Sequence, residues 1–152
     1  MKIVKSFETE TAHIVRGATS NRCKRSVHGH SYKWDVEIFG VINPVGMVVD
    51  FIELKPIREF IDQLDHAMVL WERDDVDFMN FFKNSCERVV IMKQNTTAEN
   101  MARLVHKFVN DWLSKNDHHF HSCLEVRVHE TRTGCGIAND SDENDVLVHV
   151  QS

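Results

Sequence analysis

From residue 32 to 38 the chain alternates with period two: Tyr32, Trp34, Val36 and Ile38 fall on one side, Lys33, Asp35 and Glu37 on the other. Strand side chains point to opposite faces in turn, so this run reads as a long strand over 32–42 with one apolar and one polar face. A core must therefore form on one side of a sheet. Residues 2–9 read as a second long strand. The turn chemistry of Asn43-Pro44-Val45-Gly46 leads into a third, short apolar strand over 47–51, which a hairpin joins to the second.

Helical spacing begins after that. Ile57, Phe60, Ile61 and Leu64 recur at intervals of three and four, and Pro56 is tolerated if the helix starts near residues 53–55. A second helix is predicted from Thr96, with Glu99 completing a capping box. It buries Met101, Leu104, Val105, Phe108, Val109 and Trp112, and ends near Lys115-Asn116. Residues 71–85, rich in acid and Phe, give no clear period, and 88–93 reads as a short strand. Alternation returns over 123–131, and 145–150 closes the chain as a last strand, after an acidic turn at 140–145. This is an α+β pattern, a mainly antiparallel sheet with two helices packed on one face, in a single domain over 1–152.

Composition bounds the partners. At 152 residues, with 42% hydrophobic and 27% charged content, the chain suits one soluble globular domain and neither disorder nor a collagen-like class. A net charge of -5 with interspersed signs argues against nucleic acid as the main ligand, although Arg22, Lys24 and Arg25 form a local basic loop suited to phosphate. An anionic small molecule is the expected partner. The N-terminal residues carry no signal-peptide apolar block and no stretch approaches a membrane span, so a cytoplasmic chain with no membrane partner is expected. The four cysteines, Cys23, Cys86, Cys123 and Cys135, form no C-x-x-C pair, which points to neither a zinc ribbon nor a disulfide framework.

The chemistry concentrates in Cys23-Lys24-Arg25-Ser26-Val27-His28-Gly29-His30. If the strand begins at His28, then His28 and His30 share a face and aim at one point. His13, at the end of an apolar-patterned segment, is suited to complete a three-nitrogen set with an open position, as catalytic zinc uses. Surface decoration is the bland alternative for a His-x-His pair. Cys23 lies among cationic neighbours that favour thiolate, as a base or nucleophile rather than a ligand. Asp65 precedes His66 where the first helix gives out, and an Asp can orient an imidazole, although adjacent side chains rarely face each other. Glu130 is either a solvated edge glutamate or a carboxylate that accepts paired N–H bonds from a guanine- or pterin-like ring. The cluster Asp117-His118-His119-Phe120-His121 reads as surface, His106 as exposed, and the other three cysteines as packed or incidental.

Taken in order, these blocks resemble the 6-pyruvoyltetrahydropterin synthase family, which includes the 6-carboxy-5,6,7,8-tetrahydropterin synthases of queuosine biosynthesis. The likeness runs through Phe7, Ala12-His13, Cys23, His28-Gly29-His30-Ser31-Tyr32, Gly46-Met47-Val48-Val49-Asp50-Phe51 and Leu54-Lys55. It continues through Leu64-Asp65-His66, Leu70, Thr96-Thr97-Ala98-Glu99-Asn100 and Val126-x-Val128-x-Glu130-Thr131. The resemblance implies that His13, His28 and His30 hold zinc (Zn2+), that Cys23 is the catalytic base, and that Asp65 with His66 forms a second proton-transfer pair. It implies that Glu130, with Thr131, binds the pterin ring. It further implies a T-fold whose sheets join into a barrel in a homohexamer of two trimers, with active sites between subunits.

The implied activity is a lyase reaction on 7,8-dihydroneopterin triphosphate that yields 6-carboxy-5,6,7,8-tetrahydropterin, triphosphate and acetaldehyde. The rivals are a 6-pyruvoyl enzyme and a non-catalytic zinc-bearing T-fold subunit that binds a pterin. A branch with glutamate in place of the cysteine is disfavoured by Cys23, and a cyclohydrolase would want another, cysteine-bearing zinc set. The four residues between Cys23 and His28 do not sort the carboxy from the pyruvoyl branch. Thr96 stands where the family often has proline, and is read as a cap change without functional weight. Gly134-Cys135-Gly136 departs from the usual aromatic-containing end.

Overall fold

In the computed structural model of the chain, residues 1–116 and 121–142 are described in full and 148–151 by their backbone. Strand β1 (Lys2–His13) pairs antiparallel with β2 (His28–Phe39) along its whole length, from Lys2 opposite Phe39 to His13 opposite His28. Five further strands complete one sheet: β3 (Ala67–Trp71), β4 (Val89–Met92), β5 (Ser122–His129), β6 (Cys135–Asn139) and β7 (Val148–Gln151), in the order β6-β5-β2-β1-β3-β4-β7. The sheet is mixed. β3 runs parallel to both β1 and β4, while the other four pairings are antiparallel.

The helices are α1 (Asn21–Arg25), α2 (Lys55–Ile61), α3 (Val76–Ser85) and α4 (Ala98–Lys115). As expected, two of them share one face of the sheet. Ile57 and Ile61 of α2 and Met101, Val105 and Val109 of α4 lie in one buried cluster with Trp34, Val36 and Ile38 of β2 and Val126 and Val128 of β5. Each such side chain, fully removed from water, contributes about 1.5–3 kcal/mol. Helix α3 covers the other face, where its Phe78, Met79 and Phe82 pack on Met68, Leu70, Val89 and Ile14.

Several expectations need correction. The 47–51 segment is not a strand: Asn43 Oδ1 accepts from Val45 N and Met47 N, and Met47 O accepts from Asn43 N, so the backbone groups are satisfied inside a loop. Strands β3 and β6 and helix α3 were not foreseen, and the loop bearing Cys23 contains α1, capped by Ser20. The cap of α4 is Thr97, whose Oγ1 accepts from Asn100 N at 3.3 Å; Thr96 is buried outside the helix. His106 is buried, its Nε2 2.9 Å from the Cys123 carbonyl. Residues 117–120 and 143–147, and with them most of the histidine cluster after α4, the end of the expected acidic turn and the start of the expected last strand, lie outside the described residues. Among the described residues no helix is long and apolar enough to cross a membrane.

Inside the helix-covered face runs a buried chain of hydroxyls. Trp34 Nε1 donates to Thr9 Oγ1 at 2.9 Å, the Thr9 and Thr11 hydroxyls lie 3.0 Å apart, and Thr11 Oγ1 donates to the Leu64 carbonyl at 2.7 Å. On the opposite face Asp35 takes up Ser6 Oγ, Lys33 Nζ and His129 Nε2, and these contacts hold its carboxyl below the usual range against the opposing effect of burial.

Gly136 lets β6 approach α4. A Cβ there would stand 2.7 Å from the Ala98 carbonyl carbon and the Glu99 nitrogen, both backbone. Gly136→Ala should therefore cost about 1–3 kcal/mol, as overpacking does. Urea unfolding should show a lower midpoint at unchanged slope, and an unchanged midpoint would contradict this packing.

Candidate metal centre and its surroundings

The β1–β2 register puts His13 directly opposite His28 and Thr11 opposite His30, and residues facing each other across an antiparallel pair share a face. Three imidazoles result, with ligand atoms all within 4.8 Å of one another. The ring centroids of His13 lie 4.6 Å from His28 and 5.3 Å from His30.

Hydrogen bonding fixes which nitrogens face inward. His13 Nδ1 is 2.7 Å from the Thr96 carbonyl and His28 Nδ1 is 3.0 Å from the Ser26 carbonyl. A carbonyl only accepts, so both Nδ1 atoms carry the proton and both Nε2 atoms keep a lone pair. His30 Nε2 is buried with no hydrogen-bond partner, a condition that costs about 1–3 kcal/mol unless something takes the lone pair. Burial is the main influence lowering the pKa values of His13 and His30, partly offset by Glu130 and, at His13, by the Thr96 carbonyl. Neutral imidazoles presenting Nε2 are what a divalent cation requires, so these residues fit a metal.

Glu130, at the end of β5, turns into this cluster. Its Oε1 lies 3.4 Å from His13 Nε2 and 3.7 Å from His30 Nε2, and it accepts the Tyr32 hydroxyl at 3.0 Å. The solvated-edge alternative therefore fails for Glu130. Tyr32 itself is almost wholly buried, and burial, helped by the adjacent carboxylate, pushes its pKa far up, so that the phenol stays a donor. Sequence reasoning missed Tyr32, whose only signal was a hydroxyl on an otherwise apolar strand face. Thr131 is exposed in the turn after Glu130, its N–H directed at the Gly134 carbonyl.

Cys23 sits half-buried in α1, with its carbonyl accepting from Val15 N at 3.0 Å, two residues beyond His13. It is not among the converging ligands. Asp65 and His66 do meet: Asp65 Oδ2 is 2.9 Å from His66 Nδ1. Neighbours in sequence achieve this because His66 has φ +53°, a left-handed conformation uncommon outside glycine. Glu10 locks the turn, its N–H donating to Asp65 Oδ1 at 2.8 Å and its carbonyl accepting from His66 N at 2.6 Å, and Arg88 donates to the Asp62 and Asp65 carbonyls. His66 lines a groove together with Glu10, Ala12, His30, Ser31, Met68 and Phe82. Neither member of the dyad is among the converging ligands.

A mixed sheet with two helices on one face, carrying three imidazoles that could hold a metal ion beside an inward carboxylate, is the arrangement of a T-fold domain. The sequence profile described as 6-pyruvoyl tetrahydropterin synthase matches residues 2–140. The 6-carboxy-5,6,7,8-tetrahydropterin synthase of Helicobacter pylori is 32% identical over 142 residues, which cover 88% of this chain and 70% of that protein. A putative 6-carboxy-5,6,7,8-tetrahydropterin synthase of Pyrococcus horikoshii is 35% identical over 111 residues, 66% of this chain and 68% of its own. Among solved structures, an uncharacterized protein from Wolinella succinogenes superimposes with a TM-score of 0.78 at 19% identity, over 92% of this chain and 98% of that one. The 6-pyruvoyl tetrahydropterin synthase of Caenorhabditis elegans does so with a TM-score of 0.64 at 22% identity, over 91% and 94%. The chain belongs to the 6-pyruvoyl tetrahydropterin synthase family and is an enzyme of its lyase type.

The Asp65 carboxyl is held below its ordinary pKa, first by the Glu10 N–H and, against the opposing effect of burial, by His66 and Arg88. A depressed folded-state value adds stability that is complete above the unfolded value of 3.8 and is lost as pH falls through the folded one. Asp65→Asn should therefore flatten the loss of stability below about pH 4, measured by urea unfolding across the acid range. An unchanged acid limb would contradict this account.

Proposed function

We propose that this chain is a zinc-dependent carbon–oxygen lyase. It converts 7,8-dihydroneopterin triphosphate to 6-carboxy-5,6,7,8-tetrahydropterin, with release of triphosphate and acetaldehyde, in queuosine and 7-deazaguanine biosynthesis. The observation that carries the reading is the convergence of three imidazoles beside the Glu130 carboxylate, in a chain whose relatives include synthases of that name. Residues 1–152 act as one domain, in the cytoplasm.

His13, His28 and His30 would hold the zinc, which when bound polarises oxygens of the substrate side chain. Glu130 accepts paired N–H bonds from the pterin ring, with Thr131 beside it, and the Tyr32 hydroxyl keeps that carboxylate oriented. Ring recognition then places the side chain over the cradle. Cys23 as thiolate removes the proton beside the side-chain hydroxyl, and His66, oriented by Asp65, passes protons on the opposite side. The basic residues of α1, Arg22, Lys24 and Arg25, meet the triphosphate.

By likeness to the family, the sites would lie between subunits of a hexamer, so that residues of a second copy complete each cradle. The loop after β2 supports association: Val41, Ile42, Val45, Phe51 and Ile52 are all exposed there.

Incubating zinc-loaded protein with 7,8-dihydroneopterin triphosphate and analysing products by mass spectrometry tests the reading. A 6-carboxy product with acetaldehyde is expected, and Cys23→Ala should slow turnover about 10²–10⁴-fold with pterin binding retained. A 6-pyruvoyl product would move the chain to the other branch, and bound but unconverted pterin would make it a non-catalytic subunit.

A further inference from the structure

The Thr96 carbonyl that holds His13 Nδ1 belongs to the segment just before the cap of α4, 83 positions away in sequence. A carbonyl outside a helix or ladder keeps its direction only if other bonds hold it, and here they converge on one side chain. Asn95 Oδ1 accepts from Arg16 N at 3.1 Å and from Thr96 N at 3.0 Å, and Asn95 Nδ2 donates to the Arg16 carbonyl at 2.6 Å. An amide side chain thus pairs with the backbone of Arg16 as a neighbouring strand would. Thr96 Oγ1 adds a second tie, donating to the Ile14 carbonyl at 2.9 Å. The Asn95 carbonyl is fixed in turn by Asn100 Nδ2 and Thr97 N.

We propose that Asn95 is a positioning residue for the metal centre: it clamps the Thr96 carbonyl onto His13 Nδ1, so that this imidazole offers Nε2 alone. The chemistry selects asparagine. Aspartate would set an oxygen against the Arg16 carbonyl, serine has one oxygen and cannot fill both the Oδ1 and the Nδ2 positions, and glutamine would push Thr96 away by one methylene. The hydrogen bond on one ring nitrogen of a ligating histidine decides which nitrogen meets the metal, and loss of such an outer partner weakens metal binding about 10- to 100-fold. Thr96 accordingly has functional weight: its hydroxyl and its N–H both hold the carbonyl, two bonds that a proline at this position would forgo.

This inference rests on the metal-binding part of the proposed function and not on the reaction. The test compares wild-type protein with Asn95→Ala, with Thr96→Val as a variant that keeps the shape and removes one tie. Asp75→Ala, which only uncaps α3, serves as a stability control. Zinc affinity is read by competition with a chromogenic chelator, and the His13 tautomer by proton–nitrogen correlation spectra of histidine-labelled, metal-free protein. Asn95→Ala should bind zinc at least about tenfold more weakly and lose the fixed Nδ1–H tautomer. Thr96→Val should lose less in the same direction, and Asp75→Ala should lower the melting temperature with affinity intact. Unchanged affinity or an unchanged tautomer in Asn95→Ala would overturn the proposal, as would wild-type protein that binds no zinc. Zinc binding without turnover would sink the reaction and leave the clamp standing.

Discussion

The pairing of His13 with His28 at the end of the β1–β2 ladder is the constraint on which the site depends. Because side chains alternate along a strand, a slip of one residue would send His13, Thr11 and Thr9 to the charged face and bring Glu10 and Ala12 inward. The ladder resists that slip along its whole length, since Trp34 and Phe7, Tyr32 and Thr9, and His30 and Thr11 are cross-strand pairs on the same inner face. β1 also indexes the second group. β3 joins it in parallel from Thr11 opposite Ala67, so the residues just before β3, Asp65 and His66, fall beside Glu10. One strand therefore sets the register of two constellations.

Much of this was legible in the sequence where one face is buried and the other is wet. Strand β2 and helix α4 declare themselves by period, and His28 and His30 follow from β2. β3 hid because Ala67-Met68-Val69-Leu70-Trp71 is covered on both sides, by the main core and by α3, and a run buried on both faces has no period to read. The 47–51 segment failed in the opposite way. Val48 and Val49 are buried as a strand's would be, yet the Asn43 side chain closes the loop locally, and no apolar pattern reports that. The Asp65–His66 contact depends on a positive φ that composition does not announce, and the Thr96 carbonyl is a backbone group with no residue signature at all.

Glu130 occupies a place where three demands meet. Its carboxylate keeps the Tyr32 phenol a donor, moderates the loss of basicity that burial imposes on His13 and His30, and stands at the mouth of the cradle. A single negative charge there favours any cation that the three imidazoles hold.

The buried hydroxyl chain has a direction. The indole at its start can only donate and the Leu64 carbonyl at its end can only accept, so Thr11 spends its proton on Leu64 and Thr9 must spend its own on Thr11. Neither threonine can drift to valine alone. Loss of the first hydroxyl strands the Trp34 N–H, and loss of the second strands both the Thr9 proton and the carbonyl that precedes Asp65. Across evolution Thr9, Thr11 and Trp34 should change together or not at all, a coupled inheritance of three core positions that ties the interior of the sheet to the turn bearing Asp65 and His66.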